Sequence, residues 1–305
     1  MNPPRALGFD RLTADQPVLA AALDGIGRAA ASEAPVLVLG APGSGRTSVA
    51  RAVHAASRRA AAALVEVDPG AVPASLFESE LFGHRAGAFT GAAGDQPGRV
   101  GRAEAGTLLF DHLEELPLAV QPKLLRLLAE HRYTPLGGEE RGADVRFVAV
   151  GPDDLGLRVE RGAFREDLYY RLEVFAFHLP SLAERRHEIL AVAHLLLAEL
   201  GERFSLPPAW LDGDCRDWMP NHPWPGNLTQ LRNLLERELI LTGGGRLDPA
   251  PPGGHDVVPR PLVEVEADEI RRALAYTRGH QGEAADLLGI SRKALWAKRK
   301  RLGIP

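Results

Sequence analysis

The first residues whose spacing could do chemistry form a glycine-rich turn near the start of the chain. An apolar run, PVLVLG, ends at residue 40, and a helical run begins at residue 47. Glycines let backbone N–H groups turn towards a phosphate, and a following helix N-terminus adds a favourable partial charge. The pattern predicts a nucleotide-binding phosphate loop, with a glycine-rich turn that binds nothing as the alternative. Its residues are Gly40, Ala41, Pro42, Gly43, Ser44, Gly45, Arg46 and Thr47.

Position 46 departs from the phosphate-loop pattern, which has lysine there. Arg46 keeps the positive charge. Its planar fork is longer than an ammonium and does not replace one at a crowded γ-phosphate. We therefore expect Arg46 to alter the handling of a nucleotide.

A carboxylate follows a second apolar run, GTLLFDH. Asp111 lies where a strand beside a phosphate loop usually helps to hold Mg²⁺, and we expect Thr47 to share that role. The next residue in ATPases of this layout is typically glutamate, which activates the attacking water, but here it is His112. Either His112 takes over as general base, or it is a solvated or hydrogen-bonded histidine without a catalytic role.

The elements that must position these residues alternate along the chain. Short apolar runs at 35–40, 63–67, 106–110 and 144–150 are typical of buried strands, and helical stretches separate them. This alternation predicts an α/β layer with a parallel sheet. From about residue 185 the pattern turns helical, which predicts a small all-helical subdomain.

Composition excludes several classes of protein. The 305 residues are 45% hydrophobic and 25% charged, which is typical of globular proteins. The 36 basic side chains do not outnumber the 40 acidic ones, so any basic surface that binds nucleic acid must be local. The single cysteine, Cys215, excludes a disulfide framework. No apolar run approaches the ~18 residues of a membrane span. The N-terminus also lacks the basic stretch followed by an apolar stretch that is typical of a signal peptide, so we expect a cytoplasmic protein without membrane contact.

A hexapeptide in a specific context carries a family resemblance. GAFTGA at 87–92 follows ESELFGH, and FREDLYYRL (164–172), LPSLAERRHEI (179–189) and WPGNLTQLRNLLER (224–237) come later. With these segments the chain resembles the AAA+ domain of bacterial sigma-54-dependent transcriptional activators. The resemblance implies a P-loop parallel sheet with helices on both faces, a helical lid, ATP with Mg²⁺, a homo- or hetero-oligomeric ring, and contact with the sigma-54 RNA polymerase holoenzyme.

Within the hexapeptide, the aromatic and hydroxyl side chains lie between two glycines, so a mobile tip can present them to a partner. The resemblance implies that the sigma factor is contacted by Gly87, Ala88, Phe89, Thr90, Gly91 and Ala92. The alternative is that Phe89 pins a hairpin to the core.

Departures from the family pattern cluster by role. The family has asparagine where this chain has Asp68. The sensor strand of the family ends in Ala-Thr-Asn, whereas the corresponding segment here, AVGP, has Gly151 and Pro152 as its last two residues. The family also has a lid arginine where this chain has Thr229. With Arg46 and His112, these are the positions that serve a subunit's own ATP. Arg165 and Arg171 match the arginines that the family offers to the neighbouring subunit's ATP, although both could instead be ion-pair partners of acids on the same helix.

The C-terminal segment resembles the Fis-type helix-turn-helix domain that closes such activators. Val263, Ala267, Ile270 and Leu274 recur as on an amphipathic helix, and a second helix, a turn at Gly289 and a basic helix follow. Leu295 and Leu302 should pack inward, whereas Trp296 either stacks on DNA or completes the core. The predicted contacts with double-stranded DNA are Ser291, Arg292, Lys293, Trp296, Lys298, Arg299 and Arg301.

The predicted domains are an AAA+ α/β subdomain at 1–178, a helical lid at 179–243, a linker at 244–260 and the Fis-type helix-turn-helix DNA-binding domain at 261–305. No sensory domain is expected ahead of them. The resulting hypothesis is a DNA-binding regulator that binds ATP but hydrolyses it weakly alone, and that contributes its loop and arginines to a mixed ring. Two rivals remain: a fully active ATPase that remodels the polymerase complex, and a non-enzymatic antagonist of an intact paralogue.

Overall fold

The computed structural model describes Phe9, Thr13, residues 15–252, Glu266, Ile270, Ala273, Leu274, Thr277 and residues 280–302. The chain divides into two compact units, and the boundary falls between Ala250 and Pro251. Among the described helices, none combines the length and the apolar composition that a membrane crossing needs.

The first unit is built on a five-stranded sheet in the order β2-β5-β8-β1-β9, and all of its pairings are parallel. The carboxyl ends of these strands therefore meet at one edge, which is where parallel sheets place their ligands. The described strands are β1 (Val36–Gly40), β2 (Leu64–Val67), β3 (Gly83–His84), β4 (Gln96–Pro97), β5 (Thr107–Phe110), β6 (Arg132–Tyr133), β7 (Arg141–Gly142), β8 (Arg146–Gly151), β9 (Phe175–Leu179), β10 (Ala209–Leu211) and β11 (Gly245–Leu247).

The predicted α/β class is confirmed, and the four apolar runs form β1, β2, β5 and β8. The strand β9 was not predicted. It lies at the edge of the sheet, and only Phe177 and Leu179 along it are buried, so it lacks the continuous burial of the central strands.

Helices cover both faces of the sheet because alternate residues of its central strands point to opposite sides. Leu37 and Leu39 join the core on one face, and Val36 and Val38 join the core on the other. The described helices are α1 (Pro17–Ala22), α2 (Ile26–Ala31), α3 (Arg46–Ala55), α4 (Ala74–Phe82), α5 (Arg99–Arg102), α6 (Gln121–Glu130), α7 (Leu155–Glu160), α8 (Glu166–Leu172), α9 (Ile189–Phe204), α10 (Cys215–Trp218), α11 (Asn227–Thr242), α12 (Gln281–Leu287) and α13 (Arg292–Leu302).

The lid is the predicted helical subdomain, and a separate apolar core holds it together. Trp224 is its largest fully buried side chain, and it packs with leucines of α9 and α11. A 3₁₀ turn at Leu182–Glu188 connects β9 to α9, and another at Met219–Asn221 connects α10 to α11. Residues 245–247, which fall in the predicted linker, form β11 and pair in parallel with β10.

The second unit contains the predicted turn between two helices. Gly289 has φ +64°, and the Ser291 hydroxyl accepts a hydrogen bond from the Ala294 N–H (3.2 Å), so Ser291 caps α13 as expected. Leu295 is buried with Ile270. Leu302 and Leu274 pack against the same core, whereas Val263 and Ala267 of the predicted amphipathic helix lie outside the described residues.

Candidate functional site

The phosphate loop connects β1 to α3 at the carboxyl edge of the sheet. Gly43 (φ +75°) and Gly45 (φ +102°) adopt left-handed conformations, which side chains rarely tolerate. The Ser44 N–H donates to the Ala41 carbonyl (3.1 Å), which closes a tight turn. The Ser44 hydroxyl is buried without a partner in the described part of the chain. A turn of this shape with an unsatisfied polar atom inside it fits a phosphate group.

Arg46 does not point out of the loop. Its guanidinium donates to the Gly40 carbonyl (2.8 Å) and to the Gly151 carbonyl (2.5 Å), and only 7% of the residue is exposed. These carbonyls end β1 and β8, so the side chain joins two neighbouring strands beneath the loop. The cation that would neutralise a γ-phosphate is therefore engaged by the protein itself.

A hydroxyl and a carboxylate meet beside the loop, as the sequence predicts. The Thr47 hydroxyl donates to Asp111 Oδ2 (2.8 Å). Mg²⁺ in nucleotide sites is typically held by one or two protein oxygens together with phosphate oxygens and water. These two side chains fit that role, and they would hold the ion beside the phosphates.

His112 follows Asp111 in a left-handed conformation (φ +51°). Its Nδ1 lies 3.3 Å from Asp68 Oδ1, and both side chains are about half exposed. Asp68 is held in turn by the Gly70 N–H, which donates to its carboxylate (3.0 Å). The two departures from the family pattern that follow β2 and β5 therefore contact each other, with the acid just after β2 and the imidazole two residues after β5.

The remaining departures also lie around the loop. Thr229, on the lid helix α11, lies against the loop: a Cβ added to Gly43 would be 3.0 Å from its hydroxyl. Pro152 directly follows Gly151, whose carbonyl accepts from Arg46. The residues that the sequence associates with this subunit's own nucleotide are thus gathered at one site.

Arg165 directly precedes α8, and Arg171 lies in its last turn. Arg165 forms a two-pronged ion pair with Asp167 (2.7 Å), and these hydrogen bonds raise the pKa of the guanidinium above its ordinary value. Arg171 makes one long hydrogen bond to the Leu128 carbonyl (3.5 Å). Both side chains are exposed. This ion pair corresponds to the alternative role that the sequence leaves open for Arg165, as a partner of an acid on the same helix. The Arg165 side chain nevertheless lies at the surface.

Sequence reasoning missed the residue that positions Arg165. Gln121 is fully buried at the start of α6. Its side-chain oxygen accepts from the Arg165 N–H (2.8 Å), and its amide nitrogen donates to the Leu116 carbonyl (3.0 Å). A buried glutamine carries no distinctive signal in a sequence, because its role depends on a residue far along the chain.

The GAFTGA segment forms a tip between β3 and β4. Gly87 (φ +79°) and Gly91 (φ +105°) bend the chain, and the Gly87 N–H donates to the Ala92 carbonyl (2.9 Å). Thr90 is exposed, and Phe89, 39% exposed, contacts the His84 ring edge-on at 4.9 Å. Phe89 therefore rests on the base of the hairpin and keeps part of its ring at the surface.

In the second unit, the basic residues of α13 divide into two groups. Lys298 and Arg301 both pair with Glu266, and Arg299 is partly buried. Arg292, Lys293 and Trp296 are exposed, and Trp296 is 58% exposed, so it does not complete the core. Lys300 lies over the Trp296 ring (5.3 Å to its centre). Lys300 is not among the predicted DNA contacts, although helical spacing places it on the face of Arg292 and Trp296.

Comparison with known proteins decides the family. Residues 12–178 match the Sigma-54 interaction domain, residues 183–251 match the AAA+ ATPase lid domain, and residues 261–302 match the Fis family of bacterial regulatory proteins. The chain belongs to the sigma-54-dependent activators. It therefore combines the AAA+ module, the lid and the DNA-binding helix-turn-helix of this family of transcriptional regulators.

Individual relatives agree with this assignment. The alginate biosynthesis transcriptional regulatory protein AlgB of Pseudomonas aeruginosa is 38% identical over 309 residues, with 97% of this chain and 68% of AlgB covered. The transcriptional regulatory protein ZraR of Escherichia coli K12 is 39% identical, with 93% of this chain and 67% of ZraR covered. The crystal structure of NtrX from Brucella abortus in complex with ATP superposes with a TM-score of 0.69 at 29% identity, covering 99% of this chain and 70% of NtrX.

Proposed function

We propose that this sigma-54-dependent activator binds ATP with Mg²⁺ but hydrolyses it weakly by itself. In this proposal it supplies its GAFTGA tip and its surface arginines to a ring that contains a catalytically intact relative. The exposed face of α13 binds double-stranded DNA, and the ring acts on the sigma-54 RNA polymerase holoenzyme.

One observation carries the proposal, the engagement of Arg46 by two backbone carbonyls. A cation must reach the β- and γ-phosphates to neutralise the charge that develops during phosphoryl transfer. Both bonds come from its Nη1 nitrogen, so moving the guanidinium to these phosphates would break its contacts with Gly40 and Gly151, in a site where only 7% of the residue is exposed. Charge-assisted hydrogen bonds of this kind contribute about 1.5–3 kcal/mol each. The cation of the loop therefore forms hydrogen bonds within the protein, and these oppose its contact with a γ-phosphate.

The exposed arginines of α8 support the second half of the proposal. Arg165 and Arg171 remain exposed, and Gln121 fixes the backbone of Arg165. An arginine supplied to a neighbouring site raises turnover by about 10³–10⁵ in related enzymes. A subunit with a poor site of its own can therefore still accelerate its neighbour.

A mixing experiment tests the proposal. An intact activator of the family, held at a concentration where it forms few rings, is titrated with this protein, and ATP turnover is followed. Turnover per intact subunit should rise, and the Arg165→Ala variant should not raise it. Asp167→Asn is the matched control, because it frees Arg165 from its ion pair and should retain the stimulation.

The same titration separates the rivals. A fall in turnover would identify an antagonist of the intact relative. A second candidate function, an ATPase that works alone, is favoured by the Thr47–Asp111 contact and by the pairing of His112 with Asp68. It requires turnover in the absence of any relative, which is measured separately.

A further inference from the structure

The outer side of the phosphate loop is held by the lid. Three successive loop residues, Pro42, Gly43 and Ser44, direct their carbonyl groups to donors of the lid. The Asn227 side chain donates to the Pro42 carbonyl (2.9 Å), the Leu228 N–H to the Gly43 carbonyl (2.9 Å), and Arg185 to the Ser44 carbonyl (3.3 Å). We call these three lid donors the carbonyl clamp.

The donors are fixed independently of the loop. Asn227 is 4% exposed, and its side-chain oxygen accepts from the Leu182 N–H (2.8 Å), which ties α11 to the start of the lid. Its φ of +49° is a left-handed conformation that asparagine tolerates better than most residues. Arg185 is 1% exposed and also donates to the Gln16 side chain (3.2 Å).

The packing leaves no room for the loop to shift towards the lid. A Cβ on Gly43 would lie 2.6 Å from the Gly226 carbonyl oxygen, and a Cβ on Gly45 would lie 3.0 Å from a Leu228 methyl group. Loop and lid are therefore in direct backbone contact, and the glycines make that approach possible.

Holding the carbonyls also directs the N–H groups. In a planar trans peptide the C=O of one residue and the N–H of the next point in opposite directions. With the Pro42 and Ser44 carbonyls turned towards the lid, the N–H groups of Gly43 and Gly45 turn away from it, towards the space that a phosphate would fill. This is the arrangement of N–H groups that binds phosphate in such loops.

We propose that Asn227 and Arg185 are positioning residues, which hold the phosphate loop in its binding shape before any nucleotide arrives. The three lid donors contact carbonyl groups of the loop, so they give the same support to ADP and to ATP. The inference rests on the proposed nucleotide binding for its affinities, but the clamp itself is testable without nucleotide.

The test uses the full chain and the variant Asn227→Gly, which removes both side-chain hydrogen bonds and accepts the positive φ. Asn233→Gly is the matched control, because it places glycine at an exposed asparagine of the same helix. Hydrogen exchange is measured on the nucleotide-free protein, and binding of ADP and ATP by calorimetry. Asn227→Asp is the second variant. It also tolerates the conformation, and at pH 8 it sets a carboxylate against the Pro42 carbonyl.

Hydrogen exchange at the amides of Gly43–Thr47 should accelerate about tenfold in both Asn227 variants. The Asn233→Gly variant should not show this acceleration, and exchange in β1 and β8 serves as the internal reference. The affinities for ADP and ATP should fall by the same factor. Unchanged loop exchange in both Asn227 variants would overturn the inference, and so would a loss of ATP affinity without loss of ADP affinity. A parent protein that binds neither nucleotide would refute the proposed function, and the exchange data would still decide the clamp.

Discussion

Replacement of Arg46 by lysine should change stability and ATP affinity in opposite directions. Both hydrogen bonds, to Gly40 (2.8 Å) and to Gly151 (2.5 Å), come from the Nη1 nitrogen of Arg46, and lysine carries its ammonium one bond nearer the main chain, so it cannot keep both. If one charge-assisted bond is lost, the free energy of unfolding of the nucleotide-free protein falls by about 1.5–3 kcal/mol. The same amount no longer opposes movement of the cation to the phosphates, so ATP binds about 10- to 100-fold more tightly.

Urea denaturation gives the first quantity and calorimetric titration with Mg²⁺ and ATP gives the second. Arg51→Lys is the matched control, since Arg51 lies on the same helix but is exposed and paired with Glu66 (2.7 Å). It should change neither quantity by more than about 0.5 kcal/mol. An Arg46→Lys protein with the stability and the ATP affinity of the parent would refute the assignment of Arg46 to the two carbonyls.

Three further outcomes are expected. Glu188→Ala should lower the free energy of unfolding by about 3–5 kcal/mol, because Glu188 accepts the Val18 N–H (2.5 Å) and neighbours buried Arg185; a loss below 1 kcal/mol in urea denaturation would contradict it. Burial raises the pKa of the Cys215 thiol to about 11. At pH 8 a thiol reagent should therefore label the native protein about 100-fold more slowly than the urea-unfolded chain. Equal rates would exclude a buried thiol. Lys300→Ala should weaken DNA binding at every sequence and reduce its salt dependence by about one phosphate contact, as measured in a filter-binding salt titration. Lys298→Ala should have a smaller effect, because Lys298 pairs with Glu266. Equal effects would argue against the division of the α13 basic residues into exposed and paired groups.

Local patterns in the sequence were sufficient to predict which residues meet at the candidate nucleotide site. The glycine spacing of the loop and the carboxylate after GTLLF predicted two elements of one site, and the parallel sheet brings Thr47 and Asp111 to 2.8 Å. The same reasoning placed the turn at Gly289 and the cap at Ser291, because both depend on residues within a few positions.

Contacts between distant segments were not predictable in this way. The two carbonyl partners of Arg46 lie 6 and 105 positions away, and any residue type can supply a carbonyl. Asn227 and Pro42 are separated by 185 positions, and their contact depends on how the lid packs. The pairing of Lys298 with Glu266 likewise follows from the packing of the second unit, so charge alone could not show which basic residues remain exposed.

The most direct test of the central claim is steady-state ATP turnover by the purified protein alone, at concentrations high enough to favour rings. Arg165→Ala is measured beside it. The account predicts turnover close to the background of a preparation without the chain, and no further loss in Arg165→Ala. Sustained turnover by the parent that disappears in Arg165→Ala would show that self-assembled rings are active, and it would contradict the claim that this chain hydrolyses ATP only weakly by itself.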